Sequence, residues 1–233
     1  FEALNEPIIL DGPYSNSAFD IVCKNDKVYM IIGGKDLLNG KRFDKGGYIL
    51  TYDYDKWSFI DPKEAQKKLN LPRNPRDYTS IAVTTDDSND EIVYASSMGD
   101  GVIQYKNGTP VQSYNEKNAF KETAGGYGSG YCYIDGLAFD KNGNLWMTSS
   151  EVDKAGAWHR LDIEQLRGVY TINDILITST NDKWIYVPRN TPKLVMIPNS
   201  ESLDEVSSYE FTTLIDTDGK ELTPSNYTCV AED

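Results

Sequence analysis

A single histidine, His159, and three cysteines are all that this 233-residue chain offers among the side chains most often used for nucleophilic and metal chemistry. Any histidine-paired serine or cysteine triad would have to be built on His159, which follows Trp158 in a stretch that reads as a strand and is read here as a structural or surface residue. No H-E-x-x-H, C-x-x-C, G-x-S-x-G or phosphate-loop spacing occurs, which argues against zinc and nucleotide chemistry. Cys23, Cys132 and Cys229 are an odd set beside strand-like segments, and they read as small core residues rather than as a disulfide framework. Long apolar runs are missing too: those at 175–177 and 194–197 fall far below the roughly 20 residues that span a bilayer. Cations are scarce. With 23 Lys and Arg against 36 Asp and Glu, the net charge of −13 would repel a nucleic-acid backbone or an anionic membrane surface. No leader precedes Phe1, so either a signal peptide has been removed or the sequence starts inside a longer chain.

Rings are what the chain has in abundance. Sixteen Tyr, 4 Trp and 7 Phe favour strands over helices and point to an all-β class. The richest stretch, residues 133–147, reads Y-I-D-G-L-A-F-D-K-N-G-N-L-W-M: an apolar run through Ile134, Leu137 and Phe139, a turn at Asp140-Lys141-Asn142-Gly143, and a second apolar run from Leu145. This hairpin recurs. Residues 174–186 lay on it without a gap, Trp184 over Trp146. Residues 78–94 and 19–30 repeat the plan, with Tyr94 and Tyr29 in the aromatic place. Residues 227–233 match its first strand and then stop. Uneven spacing of the aromatic positions fits constant core strands with variable outer loops.

The units so defined cover 14–61, 77–115, 131–173 and 174–216, with the start of a further one at 226–233. Expected strands are 7–10, 18–23, 28–32, 48–52 and 57–60; then 78–83, 92–96, 101–105 and 110–114; then 157–161 and 169–172 after the third hairpin; then 174–178, 183–187, 193–197 and 209–215. Asp61-Pro62 followed by Ala65 and Leu69 predicts a short helix over 61–69, and residues 162–166 a single helical turn stopped by Gly168. The fold class is therefore all-β, a propeller of four-stranded blades, with about four blades and the start of a fifth as a piece of a larger propeller. An open array of this kind is expected to self-associate or to depend on the remainder of a longer chain.

Candidate binding residues come from one loop. Gly125 to Gly130 surround Tyr127 and lead into Tyr131 and Tyr133, three rings on glycine hinges that could stack on the apolar faces of a sugar. Asp216-x-Asp218-Gly219-x-Glu221 and residues 86–90 have the spacing of a weak calcium loop and are read as hairpin turns. The rings at 29, 94, 146 and 184 are read as packing between blades rather than as a ligand box. No catalytic or metal-binding residue and no cofactor is assigned. Paired carboxylates would suffice for a glycosidase, though sequence does not show their separation.

The segment Asp140-Lys141-Asn142-Gly143-Asn144-Leu145-Trp146-Met147-Thr148 resembles the propeller repeats of PorZ-type proteins and, more loosely, two-component regulator propeller repeats. Asn181-Asp182-Lys183-Trp184-Ile185 looks like a diverged copy. Thr148-Ser149-Ser150-Glu151 stands where regulator repeats carry a G-T-x-x-G-G-L segment, which favours the PorZ-like branch. The resemblance implies a noncatalytic binding or scaffold module of the Bacteroidota envelope, associated with type IX secretion, periplasmic or at the cell surface. Its expected partner is a glycan or an envelope protein. Two alternatives stay open: the glycan-sensing ectodomain of a hybrid two-component regulator, and a propeller polysaccharide hydrolase or lyase using paired carboxylates.

Overall fold

The computed structural model describes residues 12–37, 39–120, 131–149, 161–169, 172–188, 192–200, 202, 206–224 and 229–232. The expected strand at 7–10, the glycine-rich loop with Tyr127, and His159 lie outside them.

Among the described residues there are three antiparallel sheets and a small hairpin, and none of these sheets closes on itself. The first is a meander of β1 (Ala18–Lys24), β2 (Lys27–Ile32), β3 (Ile49–Tyr52) and β4 (Trp57–Ile60). Its first turn is set by Asn25 and Asp26, with φ of 51° and 55°, the left-handed pair a two-residue hairpin needs. Helix α1 (Pro62–Leu69) follows as the sequence predicts: Asp61 accepts the Lys63 N–H at 2.9 Å, Pro62 opens the helix, and Asn70 closes it at φ 50°. β5 (Tyr78–Thr85), β6 (Glu91–Gly99), β7 (Gly101–Lys106) and β8 (Thr109–Tyr114) form the second meander. The third hairpin, β9 (Cys132–Phe139) and β10 (Leu145–Ser149), pairs the start of β9 with Met98 and Gly99 at the end of β6, so it joins the second sheet. β11 (Asp174–Ile177), β12 (Lys183–Val187), β13 (Lys193–Ile197) and β14 (Tyr209–Phe211) form the last meander.

Neighbouring units bury apolar faces against each other, which gives four apolar layers among the described residues. Tyr29, Ile31 and Ile49 pack on Ile81, Val93, Ile103 and Tyr105. The opposite face of the second meander, with Ala82, Tyr94 and Val102, meets Leu137, Phe139 and Met147. Ala138 and Trp146, on the other face of the third hairpin, meet Ile175, Ile185, Val195 and Ile197. Trp184, Tyr186, Leu194 and Phe211 then meet Leu214 and Val230. The repeat position thus carries a ring in every layer, always between its own meander and the next, as the packing reading expects.

Several local readings need correction. Val169 and Ile172 lie in irregular backbone, not a strand: Gly168 (φ 73°) ends the 3-10 turn Glu164–Leu166, and the Ile172 carbonyl accepts the Lys35 ammonium at 3.1 Å instead of joining a ladder. The strand expected over 209–215 divides. Leu214 and Ile215 form β15 (Leu214–Ile215), which leaves β14 to pair with β16 (Glu221–Leu222) over the Asp216 turn. Of the cysteines only Cys132 is a core residue; Cys23, beside the first turn, and Cys229, in irregular backbone, are exposed, and all three are free thiols. Residues 229–232 form no strand, although Val230 packs on the fourth meander and Glu232 accepts the Ser179 N–H at 2.6 Å.

The Asp-x-x-Gly turns show why they recur. Asp140 Oδ1 accepts the N–H groups of Asn142 (2.9 Å) and Asn144 (2.8 Å), and Oδ2 accepts Asn144 Nδ2 (3.0 Å) and the Trp146 indole N–H (2.9 Å). One carboxylate therefore closes the turn and fixes the ring of the next layer. Asp86 and Asp216 make the same two backbone bonds, to Ser88 and Asp90 and to Asp218 and Lys220, so these two carboxylates act as hairpin turn residues.

Candidate functional site

The first strands of the four units, β1, β5, β9 and β11, lie in succession across the molecule. Polar side chains stitch them together. Asp20 Oδ2 accepts the Ile81 N–H at 3.0 Å and the Ser80 hydroxyl at 3.3 Å; Ser80 Oγ accepts the Leu137 N–H at 3.1 Å; the Thr79 hydroxyl donates to the Ile134 carbonyl at 2.6 Å. Gly136 allows β9 and β11 to approach closely, since a Cβ there would stand 2.5 Å from Asp174 Oδ1 and 2.7 Å from its Cα.

This line of strands brings Asp20, Lys35 and Asp135 close enough for their charges to act on Asp174. Lys35, only 3% exposed, forms an ion pair with buried Asp135 and also donates to the Ile172 carbonyl. A lysine of the first unit is thereby tied to the third hairpin and to the approach to the fourth. Burial raises the Asp135 carboxyl above its ordinary range while the Lys35 charge opposes the rise; burial likewise raises Asp20 against its backbone hydrogen bonds. Asp174 is raised as well. Burial first, and then the Asp20 charge, push it to about 8, although its Oδ1 accepts the Ile175 N–H at 2.8 Å. Three carboxyls and one ammonium leave excess negative charge, which a raised Asp174 carboxyl relieves by holding its proton more readily than a free one. Sequence reasoning anticipated acids on central strands as a class but singled out none of these, because residues 20, 35, 135 and 174 carry no shared spacing.

Of the tyrosines selected from the sequence, Tyr131 and Tyr133 sit at the end of β6 marked by Gly99, and Tyr127 lies outside the described residues. Tyr131 is held there: the Arg73 guanidinium lies 4.3 Å and that of Arg42 5.5 Å from its ring centre, and its ring touches Gly99. Both cations are anchored, Arg42 by Asp77 (3.1 Å) and Arg73 by Asp100 (2.6 Å) and the Gly99 carbonyl (3.1 Å). Tyr133 meets Tyr131 edge to face at 6.4 Å and is already part of β9, opposite Met98. The structure therefore brings Tyr131 and Tyr133 together as a pair, and the glycines of 125–130 lie outside the described residues. Arg42 and Arg73 were missed by sequence reading, since neither lies near the tyrosines in the chain.

No family model matches the chain, and no curated protein matches it. Among solved structures, the chain is similar to PorZ, described as an essential bacterial surface component of the type-IX secretion system of Porphyromonas gingivalis, with a TM-score of 0.74 at 19% identity over 95% of this chain and 31% of that one. A second match, the extracellular domain of the hybrid two component system BT3049 from B. thetaiotaomicron, has a TM-score of 0.34 at 11% identity, over 83% of this chain and 28% of that one. The chain thus spans about a third of the length of the PorZ chain it matches. The likeness to PorZ is one of fold, and it agrees with the resemblance carried by residues 140–148.

Proposed function

We propose that this chain is a noncatalytic recognition and scaffold module of a bacterial cell-envelope protein of PorZ-like type, periplasmic or at the cell surface, built as a run of propeller blades. The observation that carries the reading is the division of labour between faces and ends. Facing sheet surfaces are used up in the apolar layers, while the half-buried Tyr131 and Tyr133 stand at the end of β6, stiffened by Arg42 and Arg73. Rigid aromatic groups bind with little loss of side-chain freedom, which suits a glycan or a protein segment. Among the described residues no helix is long and apolar enough to cross a membrane, which is compatible with this placement. A glycan array probed with wild type, Tyr127→Ala and Tyr131→Ala tests the reading: binding by wild type that both variants weaken supports it, and no binding by any of the three removes the glycan form of it.

The acid cluster favours a second reading, a polysaccharide hydrolase or lyase, because a carboxyl that keeps its proton at neutral pH next to ionisable carboxyls is the arrangement general acid catalysis requires. Turnover of a polysaccharide that Asp174→Asn abolishes would establish it.

A further inference from the structure

A groove of about 800 Å³ opens at the other end of β6, between the turn ends of the first two meanders. We propose that it is a separate binding site for a neutral oligosaccharide. Three observations carry the assignment. Its size falls within the usual range of small-molecule sites, roughly 300 to 1,000 Å³. Its lining is rich in amides and hydroxyls, and Asn25, Thr51, Ser58, Thr85, Asn89 and Thr109 form no side-chain hydrogen bond with any other described residue. These groups both donate and accept, which is what vicinal sugar hydroxyls require. Strands and tight turns hold them in place: Thr51 and Ser58 are cross-strand partners in β3 and β4, and Asn25 and Asn89 occupy left-handed turn positions at φ 51° and 61°.

Charge narrows the ligand class. The charged residues lining the groove neutralise each other, Lys27 pairing with Glu91 at 2.9 Å while the Tyr29 hydroxyl donates to the same carboxylate at 2.5 Å. An ionic ligand would have to break that pair; a neutral one need not. Groups that both donate and accept, with no net charge beside them, suit the hydroxyl rim of a neutral sugar.

The proposal shares with the preceding section the premise that the chain is a recognition module, but it locates the ligand at the opposite end of β6, so the two can fail separately. The test is titration of 15N-labelled chain with neutral hexasaccharides (maltohexaose, cellohexaose, xylohexaose and mannohexaose) and with hexagalacturonate as the acidic control. At least one neutral sugar is expected to shift the amides of Asn25, Thr51, Asn89 and Asn107, with a Kd of about 1 mM or tighter. Thr51→Val with Thr85→Val should weaken it at least about tenfold, and Ser58→Trp, which fills the groove, should abolish it, with both variants checked for an unchanged amide spectrum elsewhere. Tyr131→Ala should leave it unaltered. The assignment is overturned if no neutral sugar binds at about 10 mM, if hexagalacturonate binds as well as the neutral sugars, or if binding depends on Tyr131 and not on the groove variants. The last result would move sugar binding to the tyrosine end, and the first two leave the tyrosine end to its own test.

Discussion

At the scale of single residues, Asp174 has the most direct consequence. Its carboxyl moves from the ordinary 3.8 to about 8 in the fold, so between those values the folded chain holds a proton that the unfolded chain releases. The unfolded state then binds fewer protons, and stability falls as pH rises through that window. Asp174→Asn imitates the protonated form and can keep the bond from the Ile175 N–H. The variant should match wild type below about pH 4 and gain on it steadily towards pH 8, by on the order of 1 to 2 kcal/mol, given that one pKa unit corresponds to about 1.4 kcal/mol and that the group is partly solvated. Urea titrations at several pH values read this directly; a constant difference from pH 4 to 8 would show that Asp174 ionises normally. None of this was legible in the sequence. A cluster assembled from residues 20, 35, 135 and 174 exists only because the first strands of four units lie side by side, and an Asp destined for that line looks no different from the many solvated acids of a −13 chain.

At the scale of elements, the Asp140 turn couples two levels of structure. Four hydrogen bonds reach its carboxylate, and although burial opposes ionisation, those from Asn144 and Trp146 hold the carboxyl below its usual range. Asp140→Ala should cost about 2 to 3 kcal/mol near neutral pH, because it leaves a charge-assisted set unmade and unfixes the Trp146 ring. Asp216→Ala should cost under about 1 kcal/mol, its turn lying in a peripheral two-strand hairpin and ordering no ring. The depressed carboxyl stabilises the fold above its unfolded pKa, so the Asp140→Ala deficit should shrink as pH falls through the folded value. Denaturation midpoints of both variants at pH 7 and pH 3 check the pair, and equal costs would detach the turn from the layer.

Elements were also where the sequence was most readable. Period-two alternation bounded by Asn-Asp, Asn-Gly and Asp-x-x-Gly turns located the strands of the first, second and fourth meanders, and the Asp61-Pro62 cap located α1. The reading failed where tertiary contacts took over the backbone: at Ile172, whose carbonyl serves Lys35, and at Leu214–Ile215, recruited into a separate hairpin. It failed for Cys23 and Cys229 because an apolar type near a strand does not reveal which face, or whether any face, is covered. The groove was invisible for a similar reason, its lining being drawn from hairpin turns and strand ends of two different meanders.

At the scale of the whole molecule, four layers in series leave two end surfaces. Exposed apolar side chains gather there: Ile21 and Phe59 on the first meander, Tyr209 on the fourth, and Ile215 and Leu222 on the small hairpin. Such surfaces favour association of copies of the chain or with further protein. Light scattering of the isolated chain should therefore show a mass that rises with concentration, reduced by Ile21→Lys and Ile215→Lys; a monodisperse monomer across the range would oppose it.

The central claim is that repeated rings occupy successive layers between stacked meanders. Aromatic-to-methyl nuclear Overhauser spectra of the folded chain test it most directly. The account predicts that the Trp146 indole sees methyl groups of the layer containing Ile175, Ile185 and Val195, while the Trp184 indole sees Phe211 and Leu194 on the opposite face of the same meander. Contacts from both indoles to one common set of methyl groups, or from neither to any, would contradict it.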